Sequence, residues 1–293
     1  MTVMGPKNNK IKDYFKRDPL VFAEGAFRGL ADMLPKGVKV VRSGGTFAIS
    51  AKFPWLCFAQ ALQYKTHHDC YWDPDEETKT NFLLRVYERA KEQRQRQDDN
   101  GFVTTLFLPA PSAAGVSTID PSSGTGGGLH EVGHAICDCA NAPFPTFEVF
   151  RKKIGKHIKA NVDYNICNIA KWTNVTADMR LENGMVLKYP ETEHRFFSVQ
   201  KWIHFLEAPV RGKTFPSDFL MALRDAGKGW VNEDSKKVYA EYSQEARDTV
   251  EKLRSIWSVL VPKNTNFLST AHLPLAVALE IVNELHKLLE EKK

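Results

Sequence analysis

Apolar positions recur at helical spacing along much of the chain. Asp18-Pro19 reads as a helix cap and first turn, and Phe22, Phe27, Leu30 and Leu34 form a stripe that ends at Pro35. Residues 75–97 predict a second helix, charged towards its end and stopped by Asn100-Gly101. Residues 146–157 predict a basic helix after Pro143 and Pro145, and residues 162–185 a more apolar one. Residues 193–206 predict an amphipathic helix around Phe196, Phe197, Trp202 and Phe205, following the break at Pro190. In the tail, Tyr239, Tyr242, Ala246, Val250, Leu253, Trp257 and Leu260 share a stripe over 235–261. Val277, Ile281, Leu285 and Leu288 do the same over 275–291. No internal repeat is visible.

Strand patterns are fewer. VKVVRS and TFAISAK, within 37–52 and separated by Gly44-Gly45, predict two short strands arranged as a hairpin. Residues 102–108, FVTTLFL, are β-branched and aromatic and predict a third, closed by Pro109 and Pro111. Residues 53–64 suit a helix or a buried strand equally. Residues 112–128, rich in Ser, Gly and Pro, predict a flexible loop; the GK[ST] ending of a phosphate-binding loop is missing.

Composition narrows the class. With 293 residues, 43% hydrophobic and 26% charged, the chain suits a soluble globular protein. The net charge of +5 is spread over several segments, so no nucleic-acid footprint is expected. The opening residues lack an apolar signal core, and no apolar run is long enough to span a bilayer, which predicts a cytoplasmic protein without a membrane partner. Cys57, Cys70, Cys137, Cys139 and Cys167 form an odd, sparse set without a CxxC pair, as expected of free thiols in a reducing compartment.

The chemistry concentrates in LHEVGHAI, residues 129–136. His130 and His134, four positions apart, fall on one helix face, with Glu131 beside it. This HExxH arrangement supplies two ligands for Zn2+ and a general base. A small residue at Gly133 would let another element pack closely. A catalytic zinc site needs a third protein ligand and an open position. The longer metzincin pattern fails, because Cys137 stands where Gly is required and Ala140 where His is required. Cys137 and Cys139 suit packed thiols better than ligands.

Glu148, Asp163, Asp178 and Glu182 remain as acidic candidates. Asp178 and Glu182 stand out, sharing a face of an otherwise apolar helix. The competing explanation is an ion pair with Arg180 or a nearby lysine. A carboxylate that is not a ligand could instead orient a histidine through its other ring nitrogen. His194, Tyr164 and Tyr189 are available to stabilise an oxyanion, although a structural role suits each better.

The stretch KWTNVTADMRLENGMVLKYP resembles the second block of a group of HExxH metallopeptidases associated with von Willebrand factor A-type proteins, common in bacteria and bacteriophages. Their N-x-x-x-D-x-R-x-E pattern and the following aromatic-proline turn fall on Asn174, Asp178, Arg180, Glu182 and Tyr189-Pro190. The likeness covers residues 102–206. Many members carry an acid where this chain has Ala177, and the thermolysin-type ligand glutamate would fall on Asn174, a poor zinc ligand.

The resemblance implies His130 and His134 as zinc ligands, Glu131 as base and Asp178 as third ligand, with Glu182 as the competing choice. The expected fold is α+β, in which a small mixed sheet packs on the HExxH helix of a zincin-like core spanning residues 1–210, with residues 102–206 carrying the motifs. A mainly helical extension, residues 211–293, would pack on the same core. The expected function is zinc-dependent hydrolysis of peptide bonds in a polypeptide substrate, in host cytoplasm or virion if phage-encoded. The alternatives are a catalytically silent structural or interaction protein that binds a partner through the aromatic-rich stretches 189–206 and 235–261, and a hydrolase of another bond.

Overall fold

Capping side chains set where several helices begin. The structure, a computed structural model, describes residues 34, 37–43, 48–50, 53–68, 75–101, 103–109, 121–137, 142–228, 233–261, 263 and 270–290. Strand β1 (Lys39–Ser43) and strand β2 (Ala48–Ser50) precede helices α1 (Pro54–His68) and α2 (Glu76–Asp99). Asp75 caps α2 by accepting from Thr78 N at 2.8 Å, and Gly101, at φ +63°, turns the chain out of it. Strand β3 (Thr105–Pro109) leads to helix α3 (Pro121–Cys137), which carries the HExxH motif.

Helix α4 (Phe147–Lys153) starts at Thr146, whose hydroxyl accepts from Val149 N. Helix α5 (Ile169–Lys188) starts at Asn168, held at φ 50° with its side chain on Lys171 N. Then come α6 (Glu193–Glu207), α7 (Phe215–Ala226), α8 (Glu233–Ala240), α9 (Gln244–Lys252), α10 (Arg254–Trp257) and α11 (Leu273–Glu290).

Helix α5 ties the core together. Ile169 joins an apolar cluster with Phe58 of α1, Phe82 of α2, Phe150 of α4 and Leu279 of α11. The Phe58 and Phe150 rings stack there with centroids 4.4 Å apart. Burying such a ring fully stabilises by about 1.5–3 kcal/mol. Met179 joins a second cluster with Phe219 of α7, Val250 of α9 and Ile281 of α11. Leu181 and Met185 join a third, with Leu129 and Val132 of α3 and Phe196 of α6. In α5, all but one of residues 176–185 are buried, so polar groups carried there need partners.

The α+β expectation is corrected: the described chain is mainly helical. Its strands, of five, three and five residues, form only a fringe. The segments that cover the HExxH helix most extensively are α5 and α6. The hairpin is corrected as well, because β3 inserts between the two strands, parallel to β1 and antiparallel to β2.

Residues 121–128 are helical, not a loop. The glycines permit close helix packing: a methyl group on Gly126 would overlap Arg195 O and Val199 of α6. The undecided stretch after Phe53 is helix α1. The single helix expected over 235–261 is divided by Glu241–Ser243, where the Ser243 hydroxyl caps a new start by accepting from Ala246 N. The helix expected over 18–34 lies almost wholly outside the described residues, as do Cys70 and Cys139. Among the described residues no helix is long and apolar enough to cross a membrane.

Candidate metal centre

Two helices supply the site. On α3, His130 and His134 stand one turn apart, their rings edge to face with centroids separated by 5.0 Å. Helix α5 crosses at Gly133, where an added methyl carbon would lie 2.8 Å from Leu181 Cδ1 and 3.2 Å from Met185 Cγ. That approach brings Asp178 up to both rings. Its Oδ1 is 3.1 Å from His134 Nε2 and 3.4 Å from His130 Nε2. Zinc bonds of ~2.0–2.1 Å at tetrahedral angles put neighbouring ligand atoms about 3.3 Å apart. Asp178 Oδ1 stands near that separation from each histidine, and the three ligand atoms all lie within 4.8 Å of one another.

Glu182, one turn beyond Asp178, takes a different position. It faces the other nitrogen of His130, with Oε1 3.1 Å from Nδ1. Nδ1–H donates to the carboxylate, which fixes the ring so that Nε2 faces the cluster. Glu182 Oε2 lies 3.3 Å from Lys228 Nζ, just beyond the end of α7. Arg180 is not its partner. That side chain points away, Nη1 donating to Cys137 O at 3.0 Å and Nε to Thr270 Oγ1 at 3.3 Å.

Burial sharpens the electrostatics. The His130 and Asp178 side chains keep about a fifth of their surface exposed, 20% and 18%, while His134 and Glu182 keep 8%. Burial alone would lower the pKa of His130, but the charge of Asp178 and contacts with Asp178 and Glu182 raise it well above 6.5. Burial would raise that of Asp178, and the two histidines hold it well below the usual carboxylate range. Glu182, against the same desolvation, is lowered by Lys228 and then His130.

The donor set fits a divalent cation. Asp178 Oδ1 and Glu182 Oε2 are both buried, and among the described residues no donor is aligned on them for a hydrogen bond; Oε2 has the Lys228 ammonium at 3.3 Å, and Oδ1 has only the two imidazoles. With Nδ1 of His130 committed to Glu182, an unprotonated Nε2 presents a lone pair to that oxygen. Such a pair repels unless a cation or a proton lies between them.

The remaining candidates fall elsewhere. Glu131, half-buried, lies about 100° round the helix from His130. Glu148 is exposed and pairs with Arg151 at 3.3 Å. Asp163 accepts from the backbone of Asn165 and Ile166 in a tight turn. Cys137 is packed in the third apolar cluster. Tyr164 is fixed in the core, accepting from Lys159 N and donating to Asn283 Oδ1. His194 is exposed, and Tyr189 caps α5.

Sequence reasoning missed Lys228, since nothing beside a lone lysine signals its burial against a carboxylate far up the chain. It also missed α7, and with it a cavity of about 770 Å³ walled by Trp172, Phe215, Phe219, Val282 and Leu285. None of the five candidate site residues lines that cavity. Comparisons with protein-family models, with curated proteins and with solved structures gave no match.

Proposed function

We propose that the chain is a zinc-dependent metallopeptidase, with His130, His134 and Asp178 as ligands and Glu131 as general base. The observation that carries this reading is the convergence of two imidazole nitrogens on the Asp178 Oδ1 oxygen, at 3.4 and 3.1 Å, with all three atoms within 4.8 Å of one another. Bound there, zinc supplies Lewis-acid polarisation of a carbonyl and lowers the pKa of a water molecule towards ~7.

The protein groups do the rest. Glu131 follows the first ligand on its helix, takes a proton from the attacking water and returns it to the leaving amine. Glu182 holds His130 in the tautomer that presents Nε2. Helices α3 and α5, locked at Gly133, keep the ligands from spreading.

One observation favours a silent, structural role. A protonated His130 between Asp178 and Glu182, with Lys228 behind, gives an ion network that is nearly neutral without a metal. Two measurements separate the readings. Elemental analysis should find about one zinc per chain in wild type and in Glu131→Gln, and little in His134→Ala or Asp178→Ala. A peptide library digested by wild type should remain uncut by Glu131→Gln at equal zinc content. Wild-type protein that takes up no zinc would sink the metallopeptidase reading. Zinc uptake with no cleavage that depends on Glu131 would leave the structural one standing.

A further inference from the structure

Helix α5 carries two carboxylates one turn apart, both facing His130, and either could serve as a ligand. The feature that separates their roles comes from outside the motif segments. The Lys228 side chain, 2% exposed, ends with Nζ 3.3 Å from Glu182 Oε2. The residue before it is pinned to α5. Gly227 O accepts from Asn183 Nδ2 at 2.6 Å, and a methyl group on Gly227 would overlap Met179. Lys228 N donates to Asp225 O at 3.2 Å. The Lys228 charge also acts on the Asp225 carboxylate, which receives Tyr242 Oη at 2.7 Å, meets His204 Nε2 at 2.8 Å and pairs with Arg224.

We propose that Lys228 is a positioning residue of the metal centre: it holds Glu182 Oε2, keeps Oε1 on His130 Nδ1, and so leaves Asp178 as the carboxylate ligand. The inference rests on the metal-centre reading above. Without that ammonium, Glu182 is a second buried carboxylate beside Asp178, with one oxygen uncompensated and a divalent ion within a side-chain rotation. It would turn towards the ion and release the histidine. Removing an outer partner of this kind weakens metal binding about 10–100-fold.

The test compares the full-length wild type with Lys228→Met, Glu182→Gln and the double variant. Folding is checked by circular dichroism, zinc affinity by competition with a chromogenic chelator, and ligand set by the visible spectrum of the cobalt(II)-loaded protein. Lys228→Met should lose about 10–100-fold in zinc affinity and change its cobalt bands as Glu182 joins the ion. The double variant should bind zinc no more weakly than Glu182→Gln, because no carboxylate remains to be held.

If Lys228→Met does not fold, the double variant against Glu182→Gln still decides, and a further loss there overturns the proposal. Wild-type affinity and unchanged bands in a folded Lys228→Met overturn it too, leaving the metal centre intact. Failure of wild type to bind either ion overturns both.

Discussion

Arg180 Nη1 donates to the carbonyl oxygen of Cys137 at 3.0 Å, so a buried guanidinium on one metal-centre helix closes the C-terminal end of the other. The last carbonyls of a helix lack internal partners and carry its partial negative charge. Arg180 satisfies one of them and binds α3 to α5 one turn past His134.

Replacing Arg180 with Met should therefore destabilise the chain by about 2–4 kcal/mol, through a buried carbonyl left without its donor. Urea unfolding measures this directly. Wild-type stability in the variant would show that the contact contributes nothing.

Gly133→Ala sets two effects against each other. Alanine favours the helix by about 1 kcal/mol, but its methyl would press on Leu181 Cδ1 at 2.8 Å and Met185 Cγ at 3.2 Å. Overpacking between rigid helices costs about 1–3 kcal/mol and separates α3 from α5. The expected result is a lower thermal midpoint together with weaker zinc binding. A gain in stability with unchanged affinity would show that the helices yield at that point.

The metal-free protein should respond to pH in a window set by the cluster. His130 is raised above 6.5, so its contribution to stability is full below 6.5 and is lost as pH rises through the folded value. Asp178 and Glu182 are lowered from 3.8 and 4.5, so theirs are full above those values and are lost on acidification. Without metal, the cluster's own contribution to stability should be greatest between about pH 4.5 and 6.5 and decline on the alkaline side. Saturating zinc should remove the alkaline decline, because the ion replaces the proton on His130. Thermal melts across pH, with and without zinc, check both parts.

His272 gives an independent acid response. Burial, then Lys153 and Arg180, lower its pKa from 6.5 to about 4, and its ring lies 5.7 Å from that of Trp55. The unfolded chain binds this proton before the folded one does, so stability falls as pH drops from 6.5 towards 4. His272→Asn should flatten that part of the profile by up to one proton's worth of slope. An unchanged slope would assign the acid response to other groups.

The helical periodicities were legible where one face is buried along the whole element. The stripe of Val277 and Ile281 marks α11, and that of Phe196 and Phe197 marks α6. The Gly-rich approach to His130 misled because glycine serves flexible loops and close helix contacts alike, and only Arg195 and Val199 across the gap decide which. The strands misled in the opposite direction. Val40 and Phe107 have the right chemistry for a sheet, but the segments are too short to form a layer, and the hairpin depended on ignoring β3. The shared helix face of His130 and His134 lies within one turn and could be read locally. The choice between Asp178 and Glu182 could not, since it depends on which carboxylate a distant lysine reaches.

That lysine also sets an order in time. During synthesis, α3 and α5 leave the ribosome well before Gly227 and Lys228 follow, and α5 has no complete enclosure until α7, α9 and α11 exist. A nascent chain with both motif segments exposed thus holds the ligands but not the brace that assigns them. If the cluster holds an ion as proposed, its competence to do so waits for Lys228.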